Sequence, residues 1–131
     1  MVKEKIPVRI GEVILYHPNL VLNKLRPDES ITLNDAVELI DIALEITGNK
    51  DYVSILEGAF TLDVMDEAMN YVSQYQNPRW KAFAIVAHSL TERLLANYYL
   101  KFKKPARPTK VFSTFTDAKN WSKQFVKIDD L

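Results

Sequence analysis

The sequence predicts a single-domain α/β fold, spanning residues 1–131, with about five or six strands and about four helices. Three observations carry that reading. Short runs rich in β-branched and aromatic residues alternate with longer runs whose apolar residues recur every three or four positions, the pattern of strands alternating with helices. The longer runs open on hydroxyl residues placed to cap them. The stretch Trp80-Lys81-Ala82-Phe83-Ala84-Ile85-Val86-Ala87 is apolar on both faces of an extended chain, so it needs cover above and below and belongs in the middle of a mostly parallel sheet.

Taken in order, Pro7 to Ile10 and Glu12 to His17 read as a hairpin-like pair of strands with Gly11 as the turn residue. Pro18-Asn19 breaks the second strand, Leu20-Val21-Leu22 resumes an extended segment, and Arg26 to Ser30 is a polar turn. Thr32 with Asp35 has capping-box spacing and opens a helix running to about Thr47. Asn34, Glu38, Asp41 and Glu45 form its solvated stripe, and Leu33, Ala36, Val37, Ile40, Ala43, Leu44 and Thr47 its buried face. Gly48-Asn49 supplies a left-handed stop. Asp51 to Glu57 is a strand. The next helix starts at Thr61 or Asp63 and buries Met65, Ala68, Met69 and Val72. After Asn77-Pro78 comes the apolar strand, then a helix opened by Ser89-Leu90-Thr91-Glu92, with Leu90, Leu94, Leu95, Tyr98 and Phe102 facing inward and Pro105 and Pro108 beyond its end. Lys110 to Phe115 forms a last strand, and Thr116 to about Val126 a last helix with Ala118, Trp121 and Phe125 inward.

The 131 residues suffice for one real core, and 47% apolar with 26% charged residues is a globular composition. Seventeen basic and seventeen acidic residues cancel, so no global field draws nucleic acid or an anionic membrane. Absent cysteine removes disulfides, thiol nucleophiles and thiolate metal sites. The charged start, Met1 to Ile6, has no apolar core of a secretory signal, and no apolar run reaches about 20 residues; the expected location is the cytoplasm, with no membrane partner.

Catalytic chemistry finds little support. His17 and His88 are the only histidines, and Ser89, beside His88, is already occupied as a helix cap, so no serine–histidine pair is expected. No metal-ligand spacing exists, and three glycines, none in a phosphate-binding pattern, argue against nucleotide or nicotinamide cofactors. The expectation is a non-enzyme without catalytic residues, metal or cofactor. Lys101, Lys103 and Lys104 read as a complement to the helix C-terminus rather than, with Arg107 and Lys110 nearby, as a small anion or nucleic-acid patch. Trp80, Tyr75 and Tyr99 look like more aromatic surface than the inward stripes need, which points to a weak homodimer.

If the strands ending at Glu57, Ala87 and Phe115 run parallel, their C-terminal ends share one edge, where helix N-termini favour anions and open α/β sheets bind ligands. Thr61, His88 and Ser89 are therefore expected to border a functional surface, with Glu57 nearby as a group that would repel an anion unless paired. Capping alone also accounts for both hydroxyls.

The element order, together with Asn97-Tyr98-Tyr99-Leu100-Lys101-Phe102-Lys103-Lys104-Pro105-Ala106-Arg107-Pro108-Thr109-Lys110-Val111-Phe112 and with Trp121, resembles the STAS, or SpoIIAA-like, class of small bacterial proteins. The resemblance implies a mixed sheet with helices mainly on one side, and a regulatory role through a protein partner or small-ligand sensing. The best-known members of that class are switched by a phosphorylated serine in an Asp-Ser-Ser-Gly-like sequence. The matching region, Leu56-Glu57-Gly58-Ala59-Phe60-Thr61-Leu62-Asp63, has no serine, and Thr61 is its only hydroxyl. The expected function is thus a regulatory or interaction module without that switch; the alternative is a domain that holds a small anion or apolar ligand beside the sheet.

Overall fold

A computed structural model describes residues 4–26, 30–58 and 66–128. Its element order is β1 (Glu4–Val8), β2 (Gly11–His17), β3 (Leu20–Leu25), α1 (Leu33–Ile46), β4 (Tyr52–Glu57), α2 (Asp66–Gln74), β5 (Trp80–Val86), α3 (Leu90–Lys103), β6 (Thr109–Phe112) and α4 (Phe115–Ser122). The strands form one mixed sheet in the order β1-β2-β3-β4-β5-β6. β1, β2 and β3 pair antiparallel, and β3 to β6 run parallel. The α/β class and the mixed sheet of six strands are as the sequence predicts.

Alternation along each strand sorts the core into two layers. Val13, Val21, Tyr52, Leu56, Phe83 and Ile85 face the layer of α1, α2 and α3. Ile14, Leu20, Leu22, Val53, Ile55, Ala84 and Val86 face α4, which contributes Ala118 with Trp121 and Phe125 beside it. Three helices on one face and one on the other explain why β4 and β5 are apolar throughout: both of their faces are covered. β5 has a neighbour on each side, although the midpoint of the sheet falls between β3 and β4.

Several boundaries differ from the sequence reading. The first turn is Arg9-Ile10, and Gly11 is the opening residue of β2. Glycine is required there by close approach rather than by a turn: a Cβ would lie 2.1 Å from the Lys24 carbonyl oxygen of β3. The last strand ends at Phe112, because Thr114, not Thr116, caps α4 by accepting from the Asp117 amide at 3.1 Å. The predicted α2 starts, Thr61 and Asp63, and Met65 lie outside the described residues.

α1 has its complete capping box. Thr32 Oγ1 accepts from the Asp35 amide at 3.2 Å, and the Thr32 amide donates back to Asp35 Oδ2 at 3.0 Å. Asp35 is buried and also takes a two-pronged contact from Arg9, whose Nε donates to Oδ1 at 3.1 Å while Nη2 reaches Oδ2. Hydrogen bonding from the Arg9 guanidinium, the largest effect, holds the Asp35 carboxyl down to about 2. Gly48 and Asn49, both at positive φ, end the helix as anticipated.

Candidate functional site

The parallel register of β4 and β5 pairs Glu57 with Val86, so the C-terminal ends of the two strands do lie on one edge. His88 follows β5 at that edge, and its Nε2 sits 3.3 Å from Glu57 Oε2. The carboxylate that would repel an anion is therefore paired with the imidazole. Ser89 is the N-cap of α3, its Oγ accepting from the Glu92 amide at 3.1 Å. Arg93, one turn into the helix, donates from Nη1 to the Ala87 carbonyl at 3.1 Å and to the His88 carbonyl at 3.3 Å, fixing the strand-to-helix corner. Three of the four predicted site residues, Glu57, His88 and Ser89, thus meet at one corner. Thr61 lies outside the described residues.

From that corner runs a feature the sequence reading placed on the wrong side of the helix. Leu90, Leu94, Tyr98 and Phe102, expected to face inward, are 65%, 62%, 63% and 61% exposed. They form one row at four-residue spacing, closed at its far end by the Tyr98 and Phe102 rings, 4.7 Å apart. The core contact of α3 is made instead by Ala96, which is fully buried, flanked by half-buried Leu95, Tyr99 and Leu100. The physical reason is position. α3 crosses the β6 end of the sheet beside α2, and small Ala96 lets the helix sit close, leaving the larger row on the side where no other described element lies. Lys101 and Lys104, both exposed, border the row.

The basic cluster divides as the structure dictates. Lys103 Nζ donates to Asp66 Oδ1 at 2.6 Å and to Asn70 Oδ1 at 2.8 Å, tying α3 to α2. Lys104 takes the left-handed C-cap conformation. Arg107, from the loop before β6, is buried: its guanidinium lies 3.8 Å from the centre of the Trp80 ring and donates to the Val72 carbonyl at 2.9 Å and to the Tyr75 carbonyl. This clamp was not legible as such, since a lone arginine between two prolines signals nothing about the carbonyls it will find. It also overturns the expectation that Trp80 is surplus surface. Trp80 is buried, stacked on Tyr52 and edge-on to Phe83, while Tyr75 and Tyr99 are half-buried against the same core.

Between the sheet and α1 and α2 lies a cavity of about 50 Å³. Leu39, Ile40, Ala43, Met69, Val72 and Phe83 are among its apolar walls, and Asn23, Tyr52 and Ser54 are its polar members. Among the described residues no group of three or more His, Asp or Glu side chains is placed to hold a metal ion.

A family model described as a domain of unknown function, DUF7793, matches residues 14–126. The chain belongs to that family. No curated protein matches it. Among solved structures, the chain is similar to an uncharacterized protein of the DUF3478 family with a SpoIIAA-like fold from Shewanella loihica PV-4, at 14% identity and a TM-score of 0.45, with 92% of each chain covered. It is also similar to a protein with unknown function from Arthrobacter sp. FB24, at 24% identity and a TM-score of 0.31, covering 83% of this chain and 96% of that one. The strand order and the two helical layers stand on the pairing described above. No helix among the described residues is long and apolar enough to cross a membrane.

Proposed function

We propose that this DUF7793 domain is a non-enzymatic regulatory or interaction module of the cytoplasm, and that it docks a protein partner on the exposed row of α3. The observation that carries this reading is the row itself, Leu90, Leu94, Tyr98 and Phe102, each more than 60% exposed. Single apolar residues on a surface need no explanation, but four in register along roughly 18 Å of helix make a contiguous ridge. An unbroken four-residue row is also the ridge that seats in the groove of a facing helix, at a crossing angle of about −50°. The partner this surface fits is a helix with an apolar face flanked by carboxylates, since the charges bordering the row are Lys101 and Lys104. The corner of Glu57, His88 and Ser89 adjoins Leu90 and forms a polar rim at the other end, as interface cores are commonly bordered.

The test is site-specific photocrosslinking from position 98 in cells, with a second probe at Glu38 on the solvated face of α1 as control. Capture of a defined segment from position 98 alone, apolar on one helical face with flanking acids and lost on Leu94→Asp, is the expected result. Capture that is equal from both positions, or a captured segment without such a face, overturns the reading. Crosslinking of the chain to itself through position 98, with a concentration-dependent dimer in sedimentation, would assign the surface to a second copy instead.

A further inference from the structure

The cavity beneath α1 and α2 carries a second inference, independent of the docking surface. Its polar members are incompletely satisfied. Asn23, 4% exposed, donates from Nδ2 to Ser54 Oγ at 2.8 Å and to the Ile55 carbonyl at 3.2 Å. A backbone carbonyl can only accept, so the amide nitrogen must be the atom facing Ile55, and this leaves Oδ1 as an acceptor without a donor. The Tyr52 hydroxyl, on a side chain 1% exposed, likewise has no partner. Leaving such buried groups unpaired costs their full desolvation with no compensating bond, which favours an occupant that can pair with them.

The shape and chemistry of that space limit what fills it. The described lining residues include no charged side chain, which disfavours an ion. Burial pushes the Tyr52 phenol up, keeping it a neutral hydrogen-bonding group at ordinary pH. A volume of about 50 Å³ is several times what one water needs, roughly 10–15 Å³, and well below the roughly 150 Å³ of an apolar cavity that accepts benzene. Buried waters normally make about three hydrogen bonds; Asn23, Tyr52 and Ser54 supply about that many for one water, and the other described lining side chains offer none to further waters, so the rest of the space suits an apolar group. A hydroxyl can donate to Oδ1 or accept from the tyrosine O–H, and an alkyl tail suits walls such as Leu39, Ile40, Met69 and Phe83. A carbonyl group could serve only the tyrosine, and a carboxylate would enter the apolar space charged.

We infer that this cavity is a binding site for a small uncharged alcohol of a few carbons. The ligand is anchored at Asn23 and Tyr52 and lies against α1 and α2. This narrows the ligand alternative read from the sequence, an anion or an apolar molecule, to a neutral apolar molecule with one polar group.

The probe is 1-propanol, titrated into the isotopically labelled full chain and followed by NMR, with propionate as the charged control. The expected result is saturable shifts concentrated at Asn23 and at Tyr52 to Leu56, no such response to propionate, and binding weakened about fivefold to tenfold by Tyr52→Phe. The Phe variant keeps the ring and its packing on Trp80, so it preserves the fold; Leu94→Asp should bind propanol like the wild type. Linear, non-saturating shifts spread over the chain overturn the site. Saturable binding that Tyr52→Phe leaves unchanged overturns the anchoring role, and a crystal grown in propanol whose cavity holds only bridging waters overturns the ligand class.

Discussion

α1 and α3 are both fourteen-residue helices, both opened by a hydroxyl cap, and both laid on the same face of the sheet, yet they present opposite surfaces to solvent. α1 shows water the polar row Asn34, Glu38, Asp41 and Glu45 and buries Ala36, Ile40 and Ala43. α3 shows water Leu90, Leu94, Tyr98 and Phe102 and buries Ala96. The difference teaches that amphipathic spacing specifies a helix and its stripes but not which stripe meets the core. α1 lies over the sheet beside α2, so its larger apolar residues find cover. α3 lies at the β6 end, and no other described element covers its large residues.

The contrast can be broken by truncating each helix. Ile40→Ala removes a buried side chain from the core layer and is expected to destabilise the fold by about 2–5 kcal/mol in chemical denaturation. The same experiment on Leu94→Ala is expected to give less than about 0.5 kcal/mol. Comparable losses at the two positions would mean that the α3 row is buried in the native protein.

A second contrast is electrostatic, because α1 is anchored by Arg9 and α3 has no comparable buried carboxylate. Asp35 has a folded-state value held down to about 2, below its unfolded value, so its stabilisation is present above about pH 4 and is lost as pH falls toward 2. Because Arg9 is half exposed, the contribution is discounted to about 1–2 kcal/mol. Denaturation midpoints measured between pH 5 and pH 2 should show this loss in the wild type and a flatter profile in Asp35→Asn.

The caps sharpen the comparison further. Thr32→Ala removes the hydroxyl half of the α1 box, the acceptor for the Asp35 amide and a donor to Asp35 Oδ2, while the Thr32 amide keeps its bond to the carboxylate; it should cost about 1–2 kcal/mol, whereas Ser89→Ala, at an exposed cap, should cost about 0.5–1 kcal/mol. Thermal unfolding of the two variants side by side checks the order. The smallest expected effect is that of Tyr98→Ser, within about 0.5 kcal/mol of the wild type, since the ring rests mainly on Phe102 and solvent. A loss above about 1.5 kcal/mol would show that the ridge supports the fold of the single chain.

What the sequence by itself determined was local and periodic. Thr32 with Asp35, Ser89, Gly48-Asn49, and the doubly apolar stretch from Trp80 to Ala87 located helix ends and an interior strand, because capping, positive φ and two-sided burial are properties of a few adjacent residues. The meeting of Glu57 with His88 was legible in part, since parallel strands of known direction bring their ends to one edge. Tertiary structure alone decided the rest. Whether the Leu90 row or Ala96 would face the sheet depended on the height at which α3 could approach β6 and on the absence of a further described element beyond it. The burial of Arg107 over Trp80 depended on carbonyls from α2 and the loop after it, more than thirty residues away in sequence. The unpartnered atoms of Asn23 and Tyr52 arose because β3 and β4, placed in register, point polar groups into a space that the helices cover without supplying hydrogen bonds. Spacing along a chain records what neighbours in sequence require; these three features record what distant segments leave unfilled or unpaired when they meet.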